Sequence, residues 1–218
     1  MKLFRYFLII FGLVCVGFLQ SCGDKDDNDD QVVLPDRNPS NGSDDSSTST
    51  PSANSKLLGI WMEYYEDDDF GKNDYAERGC FVLEFEDENH YNYYSIWETR
   101  VEAKAEIVYD CPYTYDETSN MLLLHMVEPN DNLWEDDDYF VEVLKVQRLT
   151  ASSLFINFLY ETDGYAYSYA NDMRVINRVI SAGYKPEDEA VYMTRADEKA
   201  LSAALAGHKT SIFNYNFK

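Results

Sequence analysis

Cys80-Phe81-Val82-Leu83-Glu84-Phe85-Glu86 sets Phe81, Leu83 and Phe85 on one side of an extended chain and Val82, Glu84 and Glu86 on the other. A period of two is the mark of a strand, because successive side chains point to opposite faces. Outward from this stretch, alternation bounded by turn residues predicts strands at roughly 57–65, 80–86, 91–97, 104–115, 120–127, 139–149, 153–160 and 173–180. The seventh is apolar on nearly both faces, through Leu154, Phe155, Ile156, Phe158 and Leu159. No amphipathic helix is predicted within the series, which argues against a parallel α/β sheet. The expected fold is all-β, an eight-stranded antiparallel up-and-down barrel, since closure removes the two exposed edges.

Beyond the meander, Thr194 is expected to cap a helix running Arg195 to Ala206 and stopped by Gly207. Thr210 to Phe217 alternates again and reads as one further strand. Ahead of the meander the chain is of a different kind. Lys2 and Arg5 precede a run from Tyr6 to Leu19 that is almost wholly apolar. That is shorter than the roughly 20 residues a bilayer span needs, and fits the h-region of a signal peptide. From Cys22 to Ser55 there is no aromatic residue, and Asp24, Asp26, Asp27, Asp29, Asp30, Asp36, Asp44 and Asp45 are interspersed with Ser, Thr, Asn, Pro and Gly. Such a segment cannot bury enough apolar area to offset its ordering entropy, so it reads as a solvated linker. The chain divides into a signal at 1–21, a flexible acidic linker at 22–56, a barrel at 57–180 and a helix-strand extension at 181–218.

Across 218 residues, 40 acidic side chains face 18 basic ones, a net charge of -22. Phosphate recognition needs concentrated Lys and Arg, so a nucleic-acid partner is excluded. In a meander, alternate loops emerge at the same end, which gathers the three long connections (66–79, 128–138 and 161–172) around one mouth. Those loops, with Asp172 counted at their edge, hold 15 acids against Lys72 and Arg78. The plain function of such charge is solvation. The alternative is a site for divalent cations or a cationic partner, with Asp67, Asp69, Asp136 and Asp138 as candidate ligands.

Several short motifs resemble known families. Leu19-Gln20-Ser21-Cys22 resembles a bacterial lipobox, which implies acylation of Cys22 and attachment to a membrane. Cys22-Gly23-Asp24-Lys25-Asp26-Asp27 is similar to the export signal of Bacteroidetes surface lipoproteins, implying an outer-membrane, cell-surface location. Gly59-Ile60-Trp61 on the first strand, with Arg178 on the predicted eighth, resembles the lipocalin signature, in which the indole packs near an Arg of the last strand. Leu149-Thr150-Ala151-Ser152-Ser153-Leu154 is similar to a turn of bacterial lipocalin-like domains. Together they imply a Bacteroidetes-type lipocalin-like lipoprotein that binds a small hydrophobic or amphipathic ligand in its barrel.

Cys15 lies in the signal and Cys22 is the anchor, leaving Cys80 and Cys111. The predicted order puts a strand between them, about 10 Å across and beyond the roughly 7 Å limit for a disulfide, so two free buried thiols are expected. Catalysis has no motif support: there is no Gly-x-Ser-x-Gly, His-Glu-x-x-His, phosphate-cradling Gly-rich loop or Cys-x-x-Cys. No cofactor is implied, and no enzyme is expected. The aromatic supply, 18 Tyr, 12 Phe and 3 Trp, points instead to a ligand-lined lumen, with Phe85, Tyr93, Trp97, Tyr109, Tyr113 and Phe158 as lining candidates. A rival reading is an interaction module whose loops bind an envelope protein or a glycan. Glycan capture would use Trp134 and Tyr139, or Tyr165, Tyr167 and Tyr169, as exposed platforms.

Overall fold

A computed structural model describes residues 56–129, 137–188 and 190–217. The signal, the lipidation candidate Cys22, the linker up to residue 55, Trp134 and Asp136 lie outside the described residues. The elements run β1 (Gly59–Glu66), β2 (Arg78–Phe85), β3 (His90–Glu98), β4 (Ala103–Asp116), β5 (Met121–Glu128), β6 (Asp138–Leu149), β7 (Ser153–Asp163), α1 (Tyr169–Ala182), β8 (Ala190–Ala196), α2 (Glu198–Leu205) and β9 (Lys209–Asn214). Strands β1 to β8 pair antiparallel in sequence order, and β8 closes back on β1 through Ile60↔Ala196, Trp61↔Arg195 and Met62↔Thr194. Strand β9 lies outside the ring, parallel to the first half of β4. The result is the expected lipocalin-like eight-stranded barrel with a helix and an extra strand at its C-terminal end.

The eighth strand is not where alternation placed it. Residues 173–180 belong to α1, a helix that does interrupt the series, and Arg178 lies on that helix. The Ser168 side chain caps α1 by accepting from the Asn171 amide. Gly183, at φ 68, ends it, its amide reaching the Ile180 carbonyl while that of Tyr184 reaches Val179. The barrel therefore runs on to Ala196, not 180, and the extension begins near 197. Its helix is shorter than expected: Asp197, not Thr194, is the cap, accepting from the Ala200 amide. The last strand is Lys209–Asn214 rather than 210–217.

Two apolar layers explain why so many strands are buried on both faces. Outside β1–β4, Leu201 of α2 packs on Ile60, Met62, Val82, Ile96 and Ile107. Outside β5–β7, Ile176 and Val179 of α1 pack on Met121, Leu123, Val141, Val143 and Leu159. Each fully buried aliphatic side chain here contributes roughly 1.5–3 kcal/mol. Inside the ring, Trp61, Leu83, Phe85, Tyr91, Tyr113 and Leu122 are each at most 1% exposed. The rings pack on one another, Phe85 lying 5.8 Å from Tyr91 and 4.8 Å from Tyr113.

The β4–β5 seam of the wall is short for the length of its strands. Only four residue pairs, Tyr113↔Leu124 to Asp116↔Met121, join β4 to β5. Asp110, at φ 60, turns β4 away, and its earlier half pairs with β3 on one edge and β9 on the other. The carbonyls of His125 and Val127 on β5 receive side chains in place of a ladder: the Tyr91 hydroxyl donates to the first at 3.0 Å, and the Tyr93 hydroxyl to the second. Buried carbonyls need such partners, because an unpaired one carries its full desolvation penalty.

Candidate functional site

At the end bearing the short β2–β3, β4–β5 and β6–β7 turns, the barrel is shut. The guanidinium of Arg195, on β8, lies 4.6 Å from the ring centre of Trp61, whose indole N–H donates to the Leu57 carbonyl at 2.6 Å. Gly59, at φ 108, leaves room beneath: an added Cβ would already stand 3.4 Å from that guanidinium. The tryptophan-arginine pairing implied by Gly-x-Trp is thus present, but its arginine is Arg195. Arg178 stacks instead over Tyr160, at 5.1 Å, on the outer wall.

The six lining candidates are not brought together as one cup. Phe85 and Tyr113 meet edge to face at 4.8 Å, and the Tyr93 ring lies 6.4 Å from those of Tyr91 and Phe81. These three fill the lumen, at 1%, 0% and 2% exposure. Tyr109 is on the outer face, its ring 6.4 Å from that of Tyr94 beside β9. Phe158 is half-buried, paired with Leu144 across β6 and β7. Trp97 is half-buried near the rim, with the Lys104 ammonium 5.1 Å from its ring.

The long-loop end differs in kind. Pairing carries one row of inner positions across β1–β4 as Glu63, Phe81, Ser95 and Glu106, all half-buried. Across β5–β7 the matching row is Leu124, Glu142 and Glu161, with Met126, Phe140 and Asp163 above it. Several of these carboxyls are held above their ordinary range. Burial, then the adjacent Glu161, pushes Glu142 up to about 8. Burial, then Asp138 and Asp163, raises Glu161, and burial, then Asp138, raises Glu128. Burial raises Glu63 against the opposing pull of the Tyr192 amide. In the β1–β2 loop, burial, Asp67 and Glu102 together push Glu77 up to about 7. The mouth is a partly desolvated ring of acids with Phe81, Trp97 and Phe140 among them.

Among the described residues the metal candidates Asp67, Asp69 and Asp138 form no ligand cluster, and Asp136 lies outside them. The Asp67 carboxylate accepts from the Glu77 amide at 2.9 Å, and the Asp69 carbonyl accepts from Lys72 and Asn73. Among the described residues no group of three or more His, Cys, Asp or Glu side chains could hold a metal ion. Asp172, counted with the rim, is fully buried in the first turn of α1. It accepts from the Tyr165 hydroxyl and bonds His125 Nε2, each at 3.0 Å. Three tyrosines, Tyr165, Tyr167 and Tyr215, surround His125 edge-on at 5.1–6.3 Å. This polar knot pins α1 to β5 and was not foreseeable from spacing, its partners being 47 residues apart. It also removes Tyr165 and Tyr167 as free platforms, while Tyr169 stands 61% exposed.

Cys80 and Cys111 are free and buried. Burial pushes the Cys80 thiol up to about 11 and that of Cys111 higher still. Both are therefore held as protonated thiols, poor nucleophiles. Away from the mouth, a cleft of about 330 Å³ lies at the shut end beside Tyr115, Asn120 and Arg148. Another of about 370 Å³ lies between the β1–β2 rim and α2, lined by Tyr64, Tyr65, Arg78 and His208. No protein-family model matches this chain, and neither a curated protein nor a solved structure similar to it was found.

Proposed function

We propose that this chain is a non-catalytic, extracytoplasmic lipoprotein, held on the outer membrane at the cell surface through acylated Cys22, whose lipocalin-like barrel takes a small amphipathic ligand at its long-loop mouth. The observation that carries this reading is the contrast between the two ends. From Trp61 to Tyr93 the lumen is filled, whereas Phe81, Trp97 and Phe140 stay half-buried among acids at the mouth. A ligand that places an apolar body against these rings and a polar group among the carboxyls suits this setting better than a lipid threaded deep inside.

Two experiments test it. Mass spectrometry of the membrane-extracted protein is expected to find an acylated N-terminal Cys22, and Cys22→Ser to release the protein from the membrane. Titration of the mature protein with short amphiphiles is expected to quench Trp97 fluorescence, with the response lost in Phe81→Ala. A soluble wild-type protein, or amphiphiles without effect on Trp97, would remove the respective half of the proposal.

The filled lumen also favours a second reading, in which the barrel is a rigid scaffold and its acidic loops bind an envelope protein or glycan. Retained partner binding with no response to any small amphiphile would select it.

A further inference from the structure

Glu142 is an anomaly on its strand. It is 6% exposed and faces the inside of the barrel between Leu124 and Glu161, with no hydrogen bond or ion pair seen to it among the described residues, and its carboxyl oxygens are not sealed from solvent. Its cross-strand neighbour Glu161 is exposed at the mouth, so a cation arriving there meets both carboxyls. Like charges directly opposite on paired strands repel. A buried carboxylate without a partner is costlier still, and must take a proton or a counter-charge. Glu142 also lies close enough to Tyr91 and Tyr93 to disfavour ionisation of their hydroxyls. Phe140 is two residues up the same side of β6, and the Phe81 ring lies 6.4 Å from that of Tyr93.

We propose that Glu142 and Glu161 form the polar end of a site for an organic ammonium, the charged group seated between the two carboxyls and its apolar body against the aromatic side chains of the mouth. This deepens the mouth-binding reading and rests on it. Three features favour an ammonium over a metal ion. Calcium takes six to eight oxygens and this pair offers at most four. No larger ligand set is present among the described residues. Aromatic faces attract organic cations directly, which helps offset the loss of their hydration.

The test is calorimetry on the mature protein with three probes at about pH 7: hexylammonium chloride, 1-hexanol and calcium chloride. Hexylammonium is expected to bind at least about ten-fold more tightly than hexanol, as a charge-assisted hydrogen bond in a desolvated site contributes. Glu142→Gln and Glu161→Gln are each expected to remove most of that difference, weakening hexylammonium far more than hexanol. Glu161 is exposed, so its variant keeps the test available should the Glu142 variant fail to fold. Equal binding of both hexyl probes, unaltered by the substitutions, would overturn the cation site and leave the mouth site standing. Binding of neither would overturn both, and calcium binding that competes with hexylammonium would overturn the ammonium assignment.

Discussion

The Arg195 guanidinium covers the ring of the fully buried Trp61 at 4.6 Å, joining the first and last strands of the barrel at its shut end. Arg195→Ala is expected to lower unfolding stability by about 1 kcal/mol, as a cation-π contact of this kind contributes. Trp61→Ala is expected to cost about 3–5 kcal/mol through the cavity it leaves. Arg178→Ala, on the exposed outer wall, should stay within about 0.5 kcal/mol. Urea midpoints of the three variants check the order, and a cost for Arg178→Ala above that for Arg195→Ala would contradict it.

Tyr91 and Tyr93 complete the β4–β5 seam with their hydroxyls. Tyr91→Phe and Tyr93→Phe each leave a buried carbonyl unsatisfied, and each is expected to cost about 1–3 kcal/mol despite conserving the ring. Faster hydrogen exchange along β5, with the β1–β2 amides unchanged, is the accompanying signature.

Glu142 makes stability depend on pH with a definite sign. Its carboxyl is raised to about 8 in the folded protein, against 4.5 for an ordinary glutamate. Between these values the folded state binds more protons than the unfolded one, so this group's contribution is fully present below 4.5. It falls as pH rises and is lost once pH passes about 8. Glu77, raised to about 7, acts in the same direction. Stability measured in urea from about pH 5 to pH 8 is expected to decline more steeply in the wild type than in Glu142→Gln. Parallel profiles would refute the buried-carboxyl assignment.

Gly79 is required for close approach rather than for a special backbone angle. A Cβ there would stand 2.0 Å from the Ile96 carbonyl oxygen and 2.9 Å from the Trp97 Cα, both backbone atoms. Gly79→Ala must therefore push β2 from β3, and is expected to cost about 1–3 kcal/mol. Gly71→Ala meets nothing within 4 Å and pays only for its φ of 82, so thermal melts should rank it as the milder change.

The architecture was legible in Phe81, Leu83 and Phe85, which alternation sets on one side of β2 and which the barrel turns inward, although Val82 on the other side is buried too, beneath α2. It failed at 169–182 for an identifiable reason. Val175, Ile176, Val179 and Ile180 are β-branched and favour strand by propensity, but tertiary packing overrides so weak a bias. The cap residues Ser168 and Gly183 carried the correct signal. Arg195 was missed with them, because a helix was expected to begin there. The site was obscured by a different effect. Along Val141-Glu142-Val143, polarity suggests that Glu142 faces solvent. Val141 and Val143 instead point outward and are buried beneath α1, which turns Glu142 into the barrel. When helices cover the outside of a barrel, polarity alternation no longer says which face is inside.

Closure of β1 upon β8 also sets a timetable for folding. The hairpins β2–β3 and β6–β7 join near neighbours in the chain. The pairs Ile60↔Ala196 and Lys104↔Lys209 must instead await the last part of the polypeptide. Topologies dominated by such distant pairings fold in roughly milliseconds to seconds, because the chain between must be looped before any contact is gained. A nascent chain lacking its final residues leaves β1 without its β8 partner and the first half of β4 without β9.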